Sequence, residues 1–112
     1  MQRFIQTLDL VDDKDLIDFY LEAHSPAKFW PEILAGIKEV GITTMDIYRD
    51  GTRLVMILEM PDDVDADAAM ARLATLPRQQ EWEEYVGRAQ MCDPNATSAG
   101  KWRRMEQIFS LW

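Results

Sequence analysis

Asp50 and Gly51 stand between two β-rich runs, Ile42 to Arg49 and Thr52 to Met60, and they restrict the fold more than any other stretch of the chain. Two residues are too few to lead a strand anywhere but back alongside its neighbour. Asp-Gly is also a pair that tolerates the left-handed angles of a tight hairpin. Around this hairpin the periodicity supplies the other elements. Phe4 to Leu10 alternates as a strand, with Phe4, Gln6, Leu8 and Leu10 on one face and Ile5, Thr7 and Asp9 on the other. Asp12 and Asp13 break it and offer a cap to a helix carrying Leu16, Ile17, Tyr20, Leu21 and His24, which ends near Ser25-Pro26. A second helical piece starts at Trp30-Pro31 and stops at Gly41, so the crossover is a broken helix. Val64 to Leu76 and Arg78 to Gln90 read as helices divided by Pro77, Cys92 to Gly100 as a loop, and Trp102 to Leu111 as a closing strand.

The resulting order, β, α, β, β, α, β, is that of a ferredoxin-like α+β fold, an antiparallel sheet with helices on one face. The helices cover only that face. Alternate positions on the other include large apolar residues in either phase, drawn from Met56, Ile57, Leu58, Ile108 and Phe109. An apolar sheet face calls for a partner, and a two-fold homodimer with sheets packed face to face is the expected solution.

At 112 residues the chain is expected to form a single domain, 1–112, large enough to build a core without staples. Its 12 basic and 20 acidic residues leave a net charge of -8, which disfavours nucleic acid and anionic membrane surfaces as partners. Cys92 is the single cysteine, so no internal disulfide forms and a cytoplasmic setting is the natural one. No stretch has the apolar length of a membrane span, and residues 1–6 lack the apolar core of a signal peptide.

One histidine and one distant cysteine do not make a transition-metal site, so no metal is expected. There is no phosphate loop, no nucleophile elbow and no histidine close to Cys92 in sequence to activate its thiol. Noncovalent acid/base work remains. His24 lies four residues after Tyr20, so on a helix a phenol and an imidazole share a face, either as an ordinary packed pair or as a proton-transfer site. Trp30 and Trp82 sit beside carboxylates, in Trp30-Pro31-Glu32 and Glu81-Trp82-Glu83-Glu84-Tyr85. An indole face beside hydrogen-bond acceptors suits a sugar, although each could equally fill core space, the reading taken for Trp102 and Trp112.

Tyr20-x-x-x-His24, Trp30-Pro31-Glu32, Asp46-Ile47-Tyr48, Glu81-Trp82-Glu83-Glu84-Tyr85 and Met105-Glu106-Gln107-Ile108-Phe109, in that order, resemble the L-rhamnose mutarotase family, which includes L-fucose mutarotases. The resemblance implies a dimeric α+β barrel and a cofactor-free isomerase that interconverts the anomers of a 6-deoxy-L-hexose. It maps the family's proton-donating histidine onto His24 and its sugar-binding tyrosine onto Tyr20, and it implies a sugar pocket formed by Trp30, Met45, Tyr48, Trp82 and Glu83. Tyr20, a carboxylate or water could oppose His24 in proton transfer. Rhamnose-type members carry a tyrosine near Met45 and a tandem tryptophan where this chain has Trp82-Glu83, and these departures lean the expected substrate from L-rhamnose toward L-fucose. Ferredoxin-like dimers also serve as cofactor-independent monooxygenases and as non-catalytic binding modules, which are the alternatives.

Overall fold

The computed structural model describes residues 1–112. In chain order the elements are β1 (Gln2–Asp9), α1 (Lys14–Ala23), α2 (Pro31–Glu39), β2 (Thr44–Asp50), β3 (Arg53–Met60), α3 (Ala66–Leu73), α4 (Gln79–Gly87), α5 (Ser98–Lys101) and β4 (Arg103–Arg104). The four strands form one antiparallel sheet in the order β2-β3-β1-β4, as the ferredoxin-like reading requires.

The alternation anticipated for β1 is the one observed. Phe4 pairs with Leu58, Gln6 with Met56 and Leu8 with Leu54, and Met45 and Ile47 of β2 pair with Leu58 and Met56 on the same face. Leu54, Met56, Leu58, Met60 and Leu8 are buried in a cluster of 18 residues that also takes Tyr20, Ile33, Leu73, Trp82 and Val86 from the helices. The opposite face shows Ile5, Thr7, Val55, Ile57 and Tyr48, of which Tyr48 is 60% exposed.

Helix starts follow local chemistry. The Asp13 carboxylate accepts from the Leu16 amide at 3.1 Å, and Asp65 does the same for Ala68 at 3.1 Å. Pro31 opens α2, where its missing N–H costs nothing. Arg78 takes a left-handed φ of 66° immediately before α4 and is held there by Glu81 and Glu32.

Three details depart from the sequence reading. The hairpin turn is Gly51-Thr52, because Asp50 still pairs with Arg53. Only Gly51, with φ 61°, has left-handed angles there, so a turn with glycine first fits better than one needing them at Asp50 as well. Ile47 consequently faces Met56 rather than Leu54, and the inward face is unchanged. The loop from Cys92 also contains a short helix, α5, capped by the Thr97 hydroxyl.

The closing strand is much shorter than expected. Only Arg103 and Arg104 pair with β1, extended by the Met105 amide bonding to the Ile5 carbonyl at 2.7 Å. Ile108, Phe109, Leu111 and Trp112 are exposed, Trp112 completely, so Trp112 fills no core, whereas Trp102 is buried. Alternation marks a stretch suited to burial, but it does not specify which surface does the burying.

Candidate active site

A cavity of about 700 Å³ lies between the inward face of the sheet and the helices and is bordered by edge strand β2. That volume falls within the range of small-molecule sites. Its wall is built from helical stripes. α1 supplies Tyr20, with His24 at its C-cap; α2 supplies Ile33 and Ile37; α4 supplies Gln79, Trp82, Glu83 and Val86, the spacing of one helix face, with Gln90 beyond. Met45, Ile47 and Met56 form the floor.

Tyr20 and His24 are both a packed pair and a lining pair, with ring centroids 4.3 Å apart. Trp82 meets the imidazole edge-on at 5.3 Å and Phe29 lies 5.9 Å from it. The Nδ1 of His24 is 2.8 Å from the Tyr20 carbonyl oxygen. A carbonyl only accepts, so Nδ1 carries the proton. In the neutral ring, Nε2 therefore holds a lone pair. Burial pulls the imidazole pKa below its ordinary value, outweighing the opposing effect of that backbone bond, so the ring is neutral at pH 7.

The phenol and carboxyl beside it shift the other way. Burial pushes Tyr20 far above the usual phenol range, although the amide of Gln90, 3.5 Å from its hydroxyl, partly offsets the shift. Tyr20 is therefore a neutral hydrogen-bonding group. Burial raises Glu83 to about 7, against the pull of Lys101. Its Oε2 has no hydrogen-bond partner, because the Lys101 Nζ, 4.0 Å away, donates instead to Glu83's own carbonyl. Cys92 does not line the cavity, and burial raises its thiol pKa, so it is no activated nucleophile.

Of the residues named from sequence, Tyr20, His24, Met45, Tyr48, Trp82 and Glu83 line the cavity. Tyr48 does so from the outer edge, since its register with Val55 turns it away from the helices. Trp30 stands behind the wall, its ring 5.1 Å from Trp82 and covered by the Arg78 guanidinium at 4.1 Å. Sequence reasoning did not find Phe29, Gln79, Gln90 or Lys101. The two glutamines were discoverable as polar residues in register with the apolar stripe of α4. Lys101 left no signal, since a lysine's full burial depends on distant neighbours.

A cavity of this size and apolar character would also suit a monooxygenase, so the comparisons decide between the readings. The family model of L-rhamnose mutarotase matches residues 3–111. An L-fucose mutarotase of Xanthomonas campestris pv. campestris is 41% identical over 111 residues, covering 99% of this chain and 89% of the relative. Among solved structures, an L-rhamnose mutarotase from Formosa agariphila aligns with a TM-score of 0.73 at 17% identity, over 100% of both chains. Tetracenomycin F2 cyclase from Streptomyces glaucescens aligns with a TM-score of 0.61 at 17% identity, over 100% of this chain and 97% of the cyclase. The two structures establish the α+β fold. With a family match over nearly its whole length and a relative of this identity, the chain belongs to the L-rhamnose mutarotase family, isomerases that interconvert the anomers of a free sugar.

Proposed function

We propose that the chain interconverts the α and β anomers of a 6-deoxy-L-hexose, with L-fucose exchanged faster than L-rhamnose, and that His24 moves a proton in each direction of the reaction. The observation that carries this reading is the His24 ring on the cavity wall, with Nδ1 bonded to the Tyr20 carbonyl and Nε2 left as the proton acceptor. Opening a pyranose takes a proton from the anomeric hydroxyl while another reaches the ring oxygen, and closing on the other carbonyl face reverses both transfers. Nε2 accepts first and donates on closure. The Tyr20 hydroxyl orients the sugar, and Trp82 offers an indole for its C–H face.

Support for L-fucose comes from the 41% identical relative and from Met45 and Glu83, which stand where rhamnose-type members place aromatic side chains. A hydrogen bond to an uncharged carboxyl is worth about 0.5 to 1.5 kcal/mol, enough to favour one hydroxyl epimer over the other severalfold. Saturation-transfer NMR on L-fucose, L-rhamnose and D-glucose is expected to show the fastest catalysed α/β exchange for L-fucose, with D-glucose slow. A tenfold advantage for L-rhamnose would overturn the preference, and no exchange above the buffer control would overturn the enzyme reading.

The same reading makes residues 1–112 one domain that works as a cytoplasmic homodimer. The half-buried Ile5, Val55 and Ile57 on the outer sheet face and the exposed Ile108, Phe109, Leu111 and Trp112 support the dimer, as apolar surface that a second copy would cover. The unpaired Cys92 favours a reducing compartment. Light scattering at micromolar concentration is expected to give twice the 13.0 kDa chain mass. Deleting 108–112 is expected to shift the mass toward the single chain, and a full-length monomer would contradict the proposal.

A further inference from the structure

We infer that Glu83 is the acid that opposes His24, delivering the proton to the ring oxygen as the pyranose opens and taking it back as the ring closes. This rests on the mutarotase reading above and assigns the half of the proton traffic that reading leaves open.

Glu83 and His24 line one cavity from different elements, α4 and the end of α1. Glu83 is followed on its helix face by Val86 and preceded by Gln79, and neither ionises. Its side chain is 8% exposed and its Oε2 has no hydrogen-bond partner. Ionisation would place negative charge on a carboxyl whose Oε2 is buried without a hydrogen bond, a costly arrangement. A carboxylic acid there costs less and has a proton to give.

The groups around it support the assignment. Tyr20 faces Glu83 from α1; burial first, and to a lesser degree the nearby Glu83 carboxyl, disfavours ionisation of the phenol, which stays protonated and is a poor acid. Lys101 faces it from α5, close enough at 4.0 Å to make the carboxylate accessible once the proton has left, yet with a hydrogen bond directed at the Glu83 carbonyl. Cys92, in the loop after α4, is held as a thiol and lies outside the lining. Lys38 of α2 and Asp46 and Tyr48 of β2 complete the titratable lining from the edge-strand side. Glu83, titrating at about 7, is matched to giving and regaining a proton near neutrality.

The step balances. The Glu83 O–H proton passes to the ring oxygen as the bond from that oxygen to the anomeric carbon breaks, and the bond's electron pair stays with the oxygen. The anomeric hydroxyl gives its proton to His24 Nε2 and becomes the carbonyl. After the carbonyl turns about its bond to the next carbon, the freed hydroxyl attacks its other face. That hydroxyl's proton returns to the Glu83 carboxylate, and the imidazolium reprotonates the new anomeric oxygen. Neither side chain is changed overall.

The working form has neutral His24 and protonated Glu83, so catalysed exchange is expected to fall as pH rises through about 7. Glu83→Gln keeps the size and a donor but has no transferable proton. It is expected to lower kcat roughly 10²-fold with KM within about threefold, and to remove the alkaline fall. Lys101→Met, without the nearby ammonium, is expected to move that fall to higher pH. In wild-type protein without sugar, infrared difference spectra are expected to show a carboxylic-acid C=O band that disappears near the same pH and is absent from the Glu83→Gln protein. Wild-type exchange and an unchanged pH profile in folded Glu83→Gln would overturn the proposal. So would an alkaline fall that Lys101→Met does not move, or the absence of the carbonyl band. If the wild-type protein exchanges no sugar above buffer, the mutarotase reading fails instead, and the infrared band still reports whether Glu83 holds its proton.

Discussion

His24→Ala is expected to lower catalysed anomer exchange by about 10²-fold or more, the usual contribution of a positioned acid/base group, while the protein stays folded. The imidazole is the group whose free nitrogen is defined by structure: Nδ1 is committed to the Tyr20 carbonyl at 2.8 Å, so Nε2 alone remains for the sugar. The ring borders a cavity, so truncating it enlarges space that already exists rather than opening a void in close-packed core. Exchange measured by saturation transfer, with circular dichroism as the folding control, checks both halves. A folded His24→Ala protein that exchanges at the wild-type rate would falsify the assignment. Tyr20→Phe should lose less, because the Tyr20 phenol never ionises near neutrality and the ring that packs on His24 is kept.

Leu8→Ala is expected to have the largest effect on stability, about 3 to 5 kcal/mol, which for a chain of this length corresponds to a fall in Tm of roughly 10 °C or more. Leu8 is 0% exposed near the C-terminal end of β1 and pairs with the equally buried Leu54, in the strand that β3 and β4 flank. Its own backbone is held in the ladder by β3, so the strand cannot move to close the vacated volume without disturbing that pairing. Thermal unfolding at one fixed protein concentration measures the loss, since association would add to the apparent stability. A shift under about 1 kcal/mol would show that the site collapses and that the β1 core is softer than its burial indicates.

The sequence was most informative where the chemistry is local. Asp13 and Asp65 are legible as caps because a carboxylate reaches only its own helix's first turn. The two alternating sets of β1 are legible because strand side chains alternate strictly, and the Tyr20–His24 pair because four residues return a helix to the same face. The turn was misplaced by one residue because the choice between Asp50-Gly51 and Gly51-Thr52 depends on which pairing the strands prefer. The closing strand was overextended because alternation in residues 102–111 records apolar character without naming the surface that would cover it.

The element order and the alternation within each strand were therefore settled by the sequence itself, since periodicity and capping depend on neighbours within a few residues, whereas the face that turns inward was decided by where the helices pack. The tertiary structure alone decided the chemistry of the cavity. It brought Glu83 of α4 into the cavity that His24 of α1 lines, and it stationed Lys101, nearly twenty residues further along, beside that carboxylate. It also turned Trp30 to back the wall instead of lining it. A carboxyl titrates at about 7 only when distant elements exclude water from it, and no window of sequence records that exclusion.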